Sequence, residues 1–243
     1  MWRFRRIDPG RVLSELTLDS HYVSFIGAGG KTSLIEHLAS VGIRHKKRAV
    51  ITTTTKIWVK EPYALLSELH SGRAMPDFMR VGKSVEQRKL TGLEPQEVAA
   101  LGSNFDLVLI EADGSKGKPL KYPANYEPVI PSFSDRVILI AGLDALSGRL
   151  DEQVFRHELF ERATGTRADA HITPSLFLRF MEDDAMMKGV DRDKCVIVLN
   201  KYDACAEKHA VPGIAKAVLE ASGVGRVLFC SILFETYYDV IRV

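Results

Sequence analysis

Residues 22–38 read YVSFIGAGGKTSLIEHL. A β-branched and aromatic run enters Gly27-Ala28-Gly29-Gly30-Lys31-Thr32-Ser33, and Leu34, Ile35 and Leu38 then recur at helical spacing. This order of strand, glycine turn and helix predicts a phosphate loop. Glycines let the backbone turn tightly and point N–H groups at an anion. The helix that follows adds its positive end. Lys31 is placed to reach the terminal phosphates, and Thr32 to give its hydroxyl to Mg2+. The spacing is a short form, Gly-x-x-Gly-Lys-Thr; the longer loop has a glycine six positions before its lysine, where this chain has Phe25. A plain glycine turn with a surface lysine is the alternative, but it does not account for strand, glycines, Gly-Lys-Thr and helix together.

Working outward, short apolar runs alternate with helix-like stretches. The strands expected are 22–26, 49–53, 106–112, 136–141, 194–199 and 226–230, each apolar on both faces. Such strands belong in a parallel sheet covered by helices on each side. Helices are expected over 31–40, 62–69, 94–101, 153–163 and 207–221, and another where Thr173 caps and Pro174 takes the first helical position. The fold expected is therefore α/β: three layers, a mostly parallel sheet flanked by helices, of the P-loop NTPase-like kind. One domain over 1–243 is expected, with 1–19 as an N-terminal extension.

Composition narrows the function. The 243 residues carry 33 Lys and Arg against 31 Asp and Glu, a net charge of +2. No overall field draws nucleic acid or anionic lipid. No apolar run approaches the roughly 18 residues of a membrane span, and no signal peptide follows the early arginines. A cytoplasmic protein is expected. The three cysteines, Cys195, Cys205 and Cys230, show no metal spacing; Cys195 and Cys230 fit a core, and Cys205 is the most exposed by pattern.

The second chemical signal is residues 106–123, DLVLIEADGSKGKPLKYP. Its strand ends in Glu111 and Asp113. Carboxylates there can hold Mg2+ or position an attacking water, at the strand ends where ligands of open α/β sheets bind. Thr32 and Asp113 are thus the expected metal residues, and Lys31, Glu111 and Asp113 the catalytic ones. Lys116, Lys118 and Lys121 can neutralise phosphate or an acidic substrate, or simply be solvated. The loop from Glu111 to Phe133 is long, as functional loops often are. Thr52–Thr55 end the second parallel strand; Thr54 and Lys56, beyond its apolar run, are candidates for phosphate or substrate.

The third signal is CVIVLNKYDA, 195–204. Asn200-Lys201-Tyr202-Asp203 has the Asn-Lys-x-Asp spacing of a guanine reader. Guanine offers N1–H and a 2-amino group as parallel donors, and one carboxylate accepts both. Asp203 would read the base, Asn200 brace the loop or meet the base, and the Lys201 stem lie over the ring. Ser231 fits a weaker second contact. His157 and His171 have no paired ligand spacing.

Taken together, FIGAGGKTS (25–33), ITTTTKI (51–57), LIEADGSKGKPLK (109–121), EPVIP (127–131) and LNKYD (199–203) resemble the YqeC family. The resemblance spans about residues 20–235 and implies a nucleotide-binding protein that assists maturation of a selenium-dependent molybdenum hydroxylase. GTP or ATP with Mg2+ is the expected cofactor, and a molybdenum hydroxylase or cofactor-maturation protein the expected partner. One departure stands out: where a His-Arg pair is expected, the chain reads Phe155-Arg156-His157, so these three are assigned no catalytic role. The short loop also resembles that of Mur ligases, which leaves open a ligase or phosphotransferase acting on a small acidic or selenium-containing molecule. A non-catalytic, nucleotide-gated chaperone is the third alternative.

Overall fold

Neighbouring residues of 137–141, VILIA, go to opposite cores. Val137, Leu139 and Ala141 pack with Phe160, Phe177, Phe180 and Ile214; Ile138 and Ile140 pack with Leu13, Leu16, Leu34 and Leu38. A strand side chain alternates between faces, so a run apolar at every position lies between two helical layers. The computed structural model describes residues 2–17, 19–69 and 75–242.

In chain order the strands are β1 (Trp2–Ile7), β2 (Tyr22–Gly27), β3 (Ala49–Thr53), β4 (Lys56–Trp58), β5 (Tyr63–Leu65), β6 (Phe78–Gly82), β7 (Val85–Glu86), β8 (Lys89–Thr91), β9 (Leu107–Glu111), β10 (Leu120–Lys121), β11 (Arg136–Gly142), β12 (Val154–Phe155), β13 (Cys195–Asn200), β14 (Arg226–Ser231) and β15 (Thr236–Arg242). The helices are α1 (Pro9–Thr17), α2 (Lys31–Arg44), α3 (Pro95–Leu101), α4 (Leu150–Gln153), α5 (His157–Thr164), α6 (Pro174–Glu182) and α7 (Val211–Ser222). The main sheet runs β1-β15-β14-β13-β11-β2-β9-β3-β6-β5. From β14 to β5 every pairing is parallel; β15 and β1 are antiparallel. The fold is thus the layered α/β architecture expected, with a glycine loop between the central strand β2 and α2. The loops after β2, β9, β3, β13 and β14 all leave the same edge of the sheet.

The six expected strands are present within a residue or two. The helix expected over 62–69 is not. Tyr63–Leu65 pairs in parallel with Arg80–Gly82 as the sheet's outer strand, and Leu66–Glu68 forms one 3-10 turn. An apolar stretch that short fits either period, and pairing decides it. The helix expected over 153–163 is broken at Val154–Phe155, which pair with Leu120–Lys121; Arg156 then takes a left-handed conformation at φ 65° before α5. Residues 1–19, read as an extension, contain β1, which joins the sheet through β15, and α1, whose Val12, Leu13 and Leu16 are buried against α2.

The α6 start is as expected. Thr173 Oγ1 accepts from the Leu176 N–H at 3.2 Å, and Pro174 is the first helical residue. Thr173→Ala should lower stability by about 1 kcal/mol, read as a shifted urea midpoint with an unchanged slope; an unmoved midpoint would mean that the cap contributes nothing.

Candidate functional site

The phosphate loop joins Gly27 to Lys31. Gly29 (φ 86°) and Gly30 (φ 122°) hold backbone conformations that a side chain resists. A Cβ at Gly29 would also press on Gly142 and lie 2.8 Å from the Pro119 carbonyl, and one at Gly30 would strike the Asn200 amide. Ala28 donates to Ile140 O (2.8 Å), which ties the loop to β11. The Gly27 N–H goes to Asp113 Oδ2 (3.0 Å). Gly27 and Ala28 therefore shape the loop, and their amides are not open to a ligand, contrary to the expectation for them. The amides of Gly29 to Ser33 find no acceptor among the described residues, and Gly30 caps α2 without a side chain. These donors at a helix start, with exposed Thr32 and Ser33 hydroxyls, form an anion cradle.

Lys31 is not on the surface. Its ammonium is buried, donates to Gly27 O, and lies 2.9 Å from Asp113 Oδ1. Asp113 Oδ2 is also 3.2 Å from the Lys121 ammonium. One buried carboxylate thus serves an amide and two ammoniums. Where a metal was expected beside Asp113, its carboxylate here faces the two ammoniums and the loop amide.

Glu111 lies at the end of the same strand, on the other side of Ala112. It is partly buried, and burial pushes its carboxyl above the usual range. Lys31 opposes that rise, Asp113 adds to it, and a hydrogen bond from Thr32 opposes it. Thr32 and Glu111 give one hydroxyl and one carboxylate in contact, hard oxygen donors that fit a Mg2+ carried by a triphosphate. Among the described residues no three His, Cys, Asp or Glu gather as a protein-only metal site, so phosphate and water would complete the shell.

The hydroxyls of Thr52 to Thr54 are bonded within the chain. Thr52 donates to Val81 O (2.9 Å), Thr53 to Glu111 O (2.7 Å), and Thr54 to Val129 O (2.8 Å). Thr54 therefore pins the 111–133 loop. Lys56 lies in the separate sheet of β4, β8 and β7, 2.7 Å from Glu86. Neither residue joins the cradle as expected.

At the end of β13, Asn200 is buried and bridges two loops. Its Nδ2 donates to Gly29 O (2.8 Å), and its Oδ1 accepts from the Ile232 N–H (3.1 Å). These two bonds brace the loops that Asn200 joins. Lys201, left-handed at φ 64°, puts its ammonium 2.7 Å from Asp144 Oδ2. Asp203 is partly exposed beyond β13. Ser231 is buried and its hydroxyl accepts from the Phe234 N–H (3.3 Å), so it shapes the turn after β14.

Sequence reasoning missed a buried ion ladder. From Asp113 it passes to Lys121, then to Glu127 Oε2 (2.8 Å), then to Arg156, which also donates to the Tyr126 hydroxyl (3.0 Å). Lys121 and Glu127 are buried, and Arg156 was assigned no role. The only signal was compositional: charges set among prolines and apolar residues at 119–131. Cys205, expected to be the exposed cysteine, is buried in the core with Leu199 and Val211. Burial pushes Cys195 up to about 12 and raises Cys205 and Cys230, so all three thiols are quiet. His171 bonds to Ser147 O (3.0 Å), and His157 faces Glu158 and Glu161. No helix among the described residues is long and apolar enough to cross a membrane.

Residues 23–158 match the family model described as YqeC protein. The chain is 34% identical over 216 residues to the uncharacterized protein YqeC of Escherichia coli (strain K12), covering 82% of this chain and 84% of that one. A solved structure, FlhF complexed with GMPPNP/Mg(2+), aligns with 90% of this chain and 73% of its own at 13% identity and a TM-score of 0.43. The chain belongs to the YqeC family.

Proposed function

We propose that this member of the YqeC family is a Mg2+-dependent, GTP-binding and GTP-hydrolysing accessory protein for maturation of a selenium-dependent molybdenum hydroxylase. The maturation role follows from the resemblance of its motifs to the family. The nucleotide role is supported by one observation above others. Asn200 ties the carbonyl of Gly29 to the amide of Ile232, which joins the anion cradle to the strand ends where Asp203 lies. This bridge supports a phosphate cradle and a guanine-reading carboxylate acting as one unit.

Each residue then has a task. The amides of Gly29 to Ser33 hold phosphate oxygens. Lys31 moves from Asp113 to the phosphates and stabilises charge on the leaving group, while Lys121 remains as the counter-charge of Asp113. Thr32 and Glu111 would hold the Mg2+ ion, which would neutralise phosphate charge. Asp203 accepts from guanine N1–H and the 2-amino group.

The test is a titration of GTP and ATP with Mg2+, followed by turnover of Lys31→Ala. GTP should bind more tightly, and the variant should lose roughly 100-fold or more in hydrolysis. No affinity for any nucleotide would end this reading; unchanged turnover in Lys31→Ala would remove the catalytic assignment.

A further inference from the structure

The segment after β9 stands on the phosphate loop at both ends. Asp113 accepts from the Gly27 N–H at 3.0 Å. Pro119 presents its carbonyl to the Gly142 N–H at 2.9 Å and abuts Gly29. Between these feet residues 114–118, GSKGK, form an arch with open space, since a Cβ at Gly114 or Gly117 would meet nothing within 4 Å. The β10–β12 pairing sets Lys121 beside Phe155. Three cations surround that ring: Arg156 at 4.9 Å from its centroid, Lys116 at 5.2 Å and Lys121 at 5.9 Å. Lys116 (φ 49°) and Arg156 (φ 65°) both hold left-handed backbones, sparsely populated for such residues and frequent where a side chain must be aimed.

The charges do not balance there. Lys121 is matched by Asp113 and Glu127, and Arg156 by Glu127. Lys116 has no carboxylate within ion-pair distance among the described residues, and the Lys118 ammonium donates to the backbone carbonyl of Glu152. Two uncompensated ammoniums on an arch rooted in a phosphate cradle favour an anion. Lys116 is held over the Phe155 face rather than in the cradle, where Lys31 and the α2 amides already supply the phosphate donors.

We infer that the 114–118 arch, with Phe155 and Arg156, is a second anion site, taking a small oxyanion-bearing substrate beside the terminal phosphate of the nucleotide. Only the identity of that neighbour rests on the nucleotide reading. The lysines, the ring and Arg156 define the site by themselves.

The experiment is calorimetric titration of orthophosphate, and in parallel succinate, into the full chain with and without saturating GMPPNP and Mg2+. The wild type is compared with the Lys116→Gln/Lys118→Gln variant. One equivalent of either anion should bind with the cradle occupied, and the variant should weaken it roughly tenfold or more while leaving GMPPNP affinity unchanged. The inference is overturned if neither anion binds saturably beside GMPPNP, if the variant binds it as the wild type does, or if GMPPNP affinity falls in step. Should GMPPNP itself not bind, the nucleotide reading fails alone, and the nucleotide-free arm still decides whether the two lysines carry an anion site. Far-ultraviolet circular dichroism and the thermal midpoint of the variant guard against misfolding as the cause of a loss.

Discussion

Asp113→Ala should destabilise the chain by about 3–5 kcal/mol, the usual cost of removing one partner from a buried ion pair. For a chain of this size that is a fall of roughly 6–20 °C in thermal midpoint. The reason is the density of partners on one carboxylate. Asp113 is 2% exposed and meets the Gly27 N–H, the Lys31 ammonium and the Lys121 ammonium. Its loss leaves two buried cations with one fewer counter-charge and frees an amide at the turn of the phosphate loop. Glu127 still answers Lys121, but Lys31 keeps the Gly27 carbonyl and the charge of Glu111 without a direct ion pair. Adding Lys121→Met to Asp113→Ala should restore part of the midpoint, because an apolar isostere has no charge to strand. A stability within about 1 kcal/mol of wild type for Asp113→Ala would place that cost outside the buried-pair range, and the ion ladder would then be incidental to stability.

Asp203→Asn should change which base binds. The carboxylate accepts two donors from guanine, and charge-assisted bonds are worth about 1.5–3 kcal/mol each. GTP affinity should fall roughly 10- to 100-fold. Xanthosine triphosphate should gain, because an asparagine amide offers one acceptor and one donor, and xanthine presents the complementary N1–H and 2-oxo pair. Competition binding with GTP, ATP and xanthosine triphosphate reads all three at once. A wild-type chain that prefers ATP, or a variant with unaltered GTP affinity, would remove Asp203 from the base site. Asn200→Ala is not an equivalent test, since it would break the link between Gly29 and Ile232 and disturb the phosphates as well.

Much of this was legible in the residue order. The run VSFIGAGGKTSLIEHL located β2, the loop and α2, because a β-branched strand, a glycine turn and a helical period are local signals. The doubly apolar strands marked a sheet buried on both faces, and Val137 to Ala141 divides between two cores as that requires. Local reading failed where partners were remote. Tyr63–Leu65 became strand because Arg80–Gly82 lay open beside it. Thr54 and Lys56 sit past a strand end as functional residues do, yet their partners are Val129 and Glu86. Arg156 was passed over because its neighbour Glu127 is 29 residues away.

The sequence by itself announced the cradle, as three glycines, a lysine and a helix start within seven residues, while Ile140, Asp113 and Asn200, all remote in sequence, tie that loop in place. It also determined the order of the parallel strands' chemistry, since each motif ends its own apolar run. Only the tertiary structure decided what each charge faces. Asp113 faces Lys31 and Lys121, and Asn200 bonds to Gly29. A buried charge must find a partner wherever the packed chain provides one, and that choice depends on segments far apart in sequence.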